Sequence, residues 1–106
     1  MDKIIKLRDV LTNSEEHPWR AFLFLHEDKN WNLDSDCAVL NLDDLEIDEE
    51  VPQFAIDNNL IYALSIQDVQ DIVINAREQR TNCTDEDLLK AFLYYYDNDA
   101  FIDFNK

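Results

Sequence analysis

Apolar residues recur along the chain with two different periods, and these periods separate helices from strands. Leu7, Val10 and Leu11 lie one helical turn apart and predict a short helix over residues 6–13. Dense runs of apolar and aromatic residues predict three strands, of which the first two form a hairpin. These runs are RAFLFLH at 20–26, CAVLNL at 37–42 and LIYAL at 60–64.

The second half of the chain contains the clearest helix signals. Pro52 suits the first turn of a short helix over residues 52–58. Ser65 is a favourable N-cap for a helix over residues 66–77, whose apolar face consists of Ile66, Val69, Ile72, Val73 and Ala76. We expect the last helix to begin at Thr84, since three acids follow in the first turn, where negative charge complements the helix dipole. Its apolar stripe is Leu88, Leu89, Phe92, Leu93 and Tyr96.

The order of these elements predicts an α+β fold, in which helices pack on a small three-stranded, mainly antiparallel sheet. The 106 residues form a single domain (1–106), long enough for a core without disulfides or metal. No stretch approaches the ~20 apolar residues of a membrane helix, and the start lacks a signal-peptide core. We therefore expect a cytoplasmic protein in which Cys37 and Cys83 are reduced and buried. A bridge between these two cysteines is the alternative.

The chain contains no glycine, and this excludes several kinds of site. Phosphate loops and dinucleotide-binding turns need glycine for close approach of the backbone to the ligand. The nucleophile elbow and the calcium loop need it as well. We expect asparagine to occupy left-handed backbone positions instead. The candidates are Asn58, Asn59, Asn75, Asn82 and Asn98.

No arrangement of residues predicts catalysis, a cofactor or a metal. No pair of histidines or cysteines has the spacing of zinc ligands. The run that begins at Asp28 resembles a calcium loop, but Leu33 stands where glycine is required and Val39 where a glutamate should chelate. Cys37 with His26 is the only nucleophile and base that the predicted hairpin could assemble, and burial would suppress the thiolate.

The charge is strongly negative and unevenly distributed. The chain has 24 acids and nine bases, for a net charge of −15. Residues 1–26 are neutral, whereas residues 27–50 hold ten acids and one base and carry −9. Such a field repels nucleic acid and anionic membranes and attracts basic proteins. Acidity that serves only solubility is the alternative, but its concentration in one stretch favours a binding surface.

Aromatic residues among these acids predict where a partner binds, since exposed aromatics are typical interface anchors. Trp31 lies inside the acidic stretch, and the consecutive tyrosines at 94–96 point about 100° apart on a helix, so they cannot all face one core. The predicted partner-binding residues are Trp31, Asp43, Asp44, Glu46, Asp48, Glu49, Glu50 and Tyr95. The alternatives are that Trp31 packs over the sheet and that the exposed tyrosine is an ordinary surface residue.

Two long segments resemble small bacterial immunity proteins of contact-dependent growth inhibition systems and other toxin–immunity loci. They are LIYALSIQDVQDIVINAREQ at 60–79 and LLKAFLYYYDNDAFI at 88–102, and HPW at 17–19 and CAVL at 37–40 share the resemblance. The resemblance implies a cytoplasmic protein that binds one toxin domain, often a nuclease with a basic cleft, and blocks it. It supplies no binding residues.

Three functions follow as hypotheses. The first is an immunity-type inhibitor whose acidic stretch covers the basic cleft of a cognate toxin, with neither nucleic acid nor membrane as a partner. The second is an acidic mimic of nucleic acid that inhibits a DNA-binding or restriction protein. The third is an enzyme of an unrecognised type, which a deep pocket holding His26 or His17 beside an acid would favour. The sequence leaves the oligomeric state open.

Overall fold

The computed structural model describes residues 3–41 and 51–105, and it shows an α+β fold built on one antiparallel sheet. The strands are β1 (Ile5–Lys6), β2 (Phe22–His26), β3 (Asp36–Leu40) and β4 (Leu60–Ser65). The helices are α1 (Leu7–Thr12), α2 (Gln53–Asp57), α3 (Ile66–Gln79) and α4 (Asp85–Asn98), with a single 3-10 turn at Ser14–Glu16. The strand order is β1–β3–β2–β4, and the predicted hairpin of β2 with β3 is confirmed.

The sheet has four strands, so the prediction of three strands was wrong. The additional strand, β1, pairs Ile5 with Cys37 and Lys6 with Asp36 at one edge of the sheet. Its two residues are too few to show an alternating pattern, and α1 follows directly. The pairing is supported by a contact across the strands, since Nζ of Lys6 lies 2.6 Å from a carboxylate oxygen of Asp36.

The two long helices begin where the sequence predicts, because their N-terminal N–H groups find side-chain acceptors. The hydroxyl of Ser65 accepts from the N–H of Asp68 at 3.1 Å at the start of α3. At the start of α4, Thr84 accepts from the N–H of Asp87 while the Asp87 carboxylate accepts from the N–H of Thr84, a reciprocal capping box. These caps fix the direction in which each helix leaves its loop.

The sheet separates two apolar cores of unequal size. The larger core lies between the inner face of the sheet and helices α1, α3 and α4, and it buries the whole predicted apolar face of α3. The smaller core lies on the outer face beside α2, and its buried residues are Phe24, Ala38, Leu40, Ala55 and Leu60. A five-residue helix covers less surface than three helices do, and Tyr62 on this outer face is 49% exposed.

Among the described residues, three hold the left-handed conformation in the absence of glycine. Asn59 does so with φ of 57°, as the sequence predicts, in the turn between α2 and β4. The other two are Lys29, with φ of 60°, and Asp99, with φ of 53°. Asp99 takes the position that ends α4 instead of the predicted Asn98. A short polar side chain tolerates this region best after glycine, which accounts for Asn59 and Asp99.

Candidate functional site

Six of the predicted partner-binding residues lie outside the described residues. They are Asp43, Asp44, Glu46, Asp48, Glu49 and Glu50, which we call the acidic segment. Both flanks of this segment are described: Asn41 directly follows β3, and Val51 precedes α2 with 38% of its surface exposed. In the sequence, the acidic segment therefore lies in the connection between β3 and α2.

The acids that precede this connection are largely engaged by nearby bases. Asp36 pairs with Lys6 at 2.6 Å, and Asp34 pairs with a guanidinium nitrogen of Arg8 at 3.0 Å. Both pairs are solvent-exposed, so they add little to stability, but they reduce the local excess of negative charge. The sequence places no base between residues 43 and 50. The highest density of negative charge in the sequence thus falls on the acidic segment.

Trp31, the predicted aromatic anchor, is packed in the larger core with 6% of its surface exposed. Its indole Nε1–H donates to the backbone carbonyl of His26 at 2.9 Å. Its ring lies 4.7 Å from that of Tyr96 and 6.2 Å from that of Phe92, measured between centroids. These contacts agree with the alternative that Trp31 packs over the sheet. Trp31 therefore offers little surface to a partner.

The three consecutive tyrosines of α4 differ in exposure. Tyr94 is 40% exposed, whereas Tyr95 and Tyr96 are half-buried. The ring of Tyr95 packs against Phe101 at 5.4 Å. Burial, followed by the nearby carboxylate of Asp68, raises the pKa of Tyr95. Tyr94 therefore offers more free surface than the predicted anchor Tyr95.

A different tryptophan, Trp19, is exposed, and it lies at a groove that no pattern in the sequence indicates. Trp19 is 59% exposed and Ile74 is 56% exposed. Together with Pro18, Val73 and Arg77 they line a depression of about 360 Å³ between α3 and the loop that precedes β2, which we call the Trp19 groove. Large apolar side chains left in water on a folded surface are typical of a protein-binding site.

Hydrogen bonds fix the loop that carries Trp19 to helix α3. The side-chain amide of Gln70 donates to the carbonyls of Ser14 at 3.0 Å and His17 at 3.1 Å. Two turns further along α3, the guanidinium of Arg77 donates to the backbone carbonyl of Thr12 at 3.2 Å. The groove is therefore formed before any partner arrives, which lowers the entropy cost of binding.

Strand β3, which precedes the acidic segment in the sequence, reaches the surface beside the Trp19 groove. His17 and Pro18, which line the groove, also line an adjoining depression of about 200 Å³ together with Val39 of β3. Leu42 is three residues beyond Val39 in the sequence, and the acidic segment begins immediately after Leu42. The strand that leads into the acidic segment therefore borders the same part of the surface as the groove.

One set of side chains has the order of a nucleophile, a base and an acid. The Nε2 atom of His26 lies 3.3 Å from the hydroxyl of Ser35, and the carboxylate of Asp28 contacts Nδ1 of the same ring. Ser35 is only 5% exposed, and its hydroxyl accepts from the N–H of Asn32 at 2.7 Å. A substrate could not reach it, so these contacts close the turn between β2 and β3. The enzymatic alternative then depends on His17, which lines the Trp19 groove together with Glu15.

The two cysteines are free thiols in different surroundings. Cys37 is fully buried, as expected, and burial raises the pKa of its thiol to about 12, with the Asp36 carboxylate adding to the shift. Cys83 is half-buried, and burial also raises its pKa. In residues 3–41 and 51–105, no three His, Cys, Asp or Glu side chains are grouped so that they could hold a metal ion. The described helices include none long and apolar enough to cross a membrane.

The fold and this surface define a small α+β domain with an exposed apolar groove, and the acidic segment lies between β3 and α2 in its sequence. The chain belongs to the family described as "Domain of unknown function (DUF7716)", whose model matches residues 4–104. No curated protein and no solved structure matches the chain. The family description assigns no activity, so the resemblance to immunity proteins remains a prediction.

Proposed function

We propose that this domain is an immunity-type inhibitor, which binds a basic surface of a toxin domain in the cytoplasm and blocks it. The observation that carries the proposal is the exposure of Trp19 beside Ile74 on a fixed loop, next to the strand that leads into the acidic segment. This arrangement supplies both an aromatic anchor, which contact with a partner would remove from water, and a complementary charge. The proposal assigns no chemistry to the domain itself.

The two parts of the proposed site contribute differently to binding. The acidic segment attracts a basic partner over distance and accelerates association in a salt-dependent way. The Trp19 groove adds apolar area that is removed from water on contact, and tryptophan is among the residues that most often dominate interface energetics. Charge alone gives fast but weak association, whereas charge with a buried aromatic anchor gives a long-lived complex.

Inhibition would be steric and electrostatic. A nuclease needs a basic cleft to hold the phosphates of its substrate, and the acidic segment would occupy that cleft in place of the nucleic acid. The rigid Trp19 groove would fix the orientation of the complex. No cofactor or metal is needed for this mode of action, and neither nucleic acid nor membrane is a partner.

A mimic of nucleic acid is the second candidate, and the charge pattern of the described residues bears on it. A mimic needs unpaired carboxylates spaced like phosphates along an extended face. Lys6 and Arg8 instead engage Asp36 and Asp34, next to the segment that carries the largest excess of acids. A compact acidic patch suits a cleft better than a long double row does, so this pattern favours the toxin inhibitor.

The proposal is tested by capturing partners from a lysate of the source cell at low salt, including the product of the adjacent upstream gene, and eluting with rising salt. We expect one basic toxin domain, released only at high salt. A host DNA-binding protein in its place would favour the mimic, and the absence of any basic protein would overturn the proposed function.

Charge reversal then locates the site on the captured partner. One variant carries Asp43→Lys, Asp44→Lys, Glu46→Lys and Asp48→Lys. The matched control reverses four exposed acids elsewhere: Asp9, Glu86, Asp97 and Asp103. Both change the net charge equally, so a loss of affinity of about 100-fold or more in the first and far less in the second supports the site. Equal losses would show that only the overall charge matters.

A further inference from the structure

We infer that the outer edge of strand β4 is a second contact surface, to which the basic partner adds an extended segment of its own chain. β4 lies at the end of the sheet, and its only partner among the described strands is β2. An edge strand presents unpaired N–H and C=O groups that can pair with another chain. The inference rests on the proposed function for the charge of that partner.

The register of β4 shows which backbone groups face outward. The N–H of Glu27 donates to the carbonyl of Asn59 at 3.2 Å, so Asn59 turns its backbone groups toward β2. Hydrogen bonding alternates along an antiparallel pair. Ile61, paired with Leu25, therefore also faces β2. Leu60 and Tyr62 direct their N–H and C=O groups away from the sheet.

β4 has few of the features that protect natural sheet edges. Its sequence, LIYALS, contains no charged residue and no proline, although lysine and proline are common safeguards at edges. A register shift opposite Leu23 and Phe24 interrupts the pairing after Tyr62, which leaves 60–62 as a regular stretch. The opposite edge of the sheet is formed by β1, whose two residues are too short to template a strand.

An exposed aromatic residue stands beside this edge. Tyr62 is 49% exposed on the outer face, with its ring centroid 5.6 Å from that of Phe22 and 6.0 Å from that of Phe24. Side chains of neighbouring strands that point to the same face pack against each other. Every second residue of an added strand would therefore point to the same face as Tyr62. An apolar side chain next to Tyr62 would extend the aromatic cluster.

The charges around β4 select a basic occupant. Asp57 precedes the strand, Asp68 follows it in the first turn of α3, and Glu27 lies beside its start. The carboxylate of Asp68 acts on the Tyr62 hydroxyl, since after burial it is the main cause of the raised pKa of Tyr62. A second copy of the chain would bring its own acids to this edge. The fitting occupant is an extended segment in which basic and apolar residues alternate.

Hydrogen exchange with two peptide probes tests the inference. The first is a ten-residue peptide of alternating lysine and valine, and the second is the same peptide N-methylated at four consecutive central residues, so that it cannot pair there as a strand. We expect the first peptide to slow amide exchange at Leu60 and Tyr62 at least tenfold, and the second to leave it unchanged. Equal effects of both peptides, or unchanged exchange at saturating concentrations of the first, would overturn the inference.

A pair of variants separates this inference from the proposed function. Tyr62→Lys places a charge at the edge, whereas Tyr62→Phe keeps the ring and serves as the control; thermal melting checks that both are folded. We expect the captured toxin to bind the Tyr62→Phe variant normally and the Tyr62→Lys variant at least tenfold more weakly. Equal binding to both would refute the strand contact and leave the proposed function intact. Failure to capture any basic protein would refute the function, while the peptides still decide the edge.

Discussion

The side-chain amide of Gln70 donates to the backbone carbonyl of His17 at 3.1 Å, and so ties helix α3 to the loop that carries Trp19. The same nitrogen donates to Ser14, which lies at the beginning of that loop. A single side chain thereby holds two carbonyls of a segment that has no strand partner of its own. The shape of the Trp19 groove depends on this residue.

Replacing Gln70 with alanine should therefore loosen the groove. We expect Gln70→Ala to lower the free energy of unfolding by about 1–3 kcal/mol, because two carbonyls lose their donor. Binding of the partner should weaken too, since the loop must then be ordered on contact. Urea denaturation measures the first effect. Gln67→Ala, at an exposed position of the same helix, is the control, and equal stability of the two variants would contradict the assigned role.

Substitution of the two tryptophans should change the stability of the fold by very different amounts. Trp31→Ala leaves a cavity in the larger core and should cost about 3–5 kcal/mol of stability. Trp19→Ala removes an exposed ring and should change stability by less than about 1 kcal/mol. Thermal or urea unfolding of the two variants gives the comparison. A stability loss at Trp19 as large as that at Trp31 would show that Trp19 supports the fold and is not a free anchor.

The thiol of Cys37 should be unreactive near neutral pH. Its ionisation at high pH should lower the stability of the fold. Its pKa of about 12 leaves roughly one molecule in 10⁴ as thiolate at pH 8, so native labelling should modify Cys83 first. Because the folded pKa lies above the ordinary 9.0, the neutral thiol stabilises the fold below pH 9 and this contribution is lost as the pH rises to about 12. Cys37→Ala should flatten the fall in stability between these pH values. An unchanged slope would contradict the shift.

Hydrophobic periodicity predicted the elements that are long enough for apolar residues to recur on one face. All five predicted apolar residues of α3 are buried, and the caps Ser65 and Thr84 follow from local chemistry that needs no tertiary information. β1 escaped prediction because two residues show no period and its pairing with Cys37 and Asp36 spans 32 and 30 positions of sequence, respectively. Such a strand is defined by the sheet and not by its own composition.

The candidate site was harder to predict, because a composition pattern does not specify which aromatic side chain is exposed. Trp31 lies among acids but alternates with Leu33 and Ser35 in a buried row, which directs it inward. Trp19 follows proline in a short loop, where no period indicates its exposure. The groove around it forms only when α3 packs against that loop, so its two sides come from residues more than 50 positions apart.

The most direct test of the central claim is the affinity of the Trp19→Ala variant for the captured toxin domain, measured by titration calorimetry at several salt concentrations. Tyr94→Ala, which removes another exposed aromatic residue, is the matched control. We predict that Trp19→Ala raises Kd by about 30-fold or more, as expected of an interface anchor, with the salt dependence unchanged. The control should bind like the unmodified chain. Equal affinity of the Trp19→Ala variant and the unmodified chain would contradict the proposed binding site.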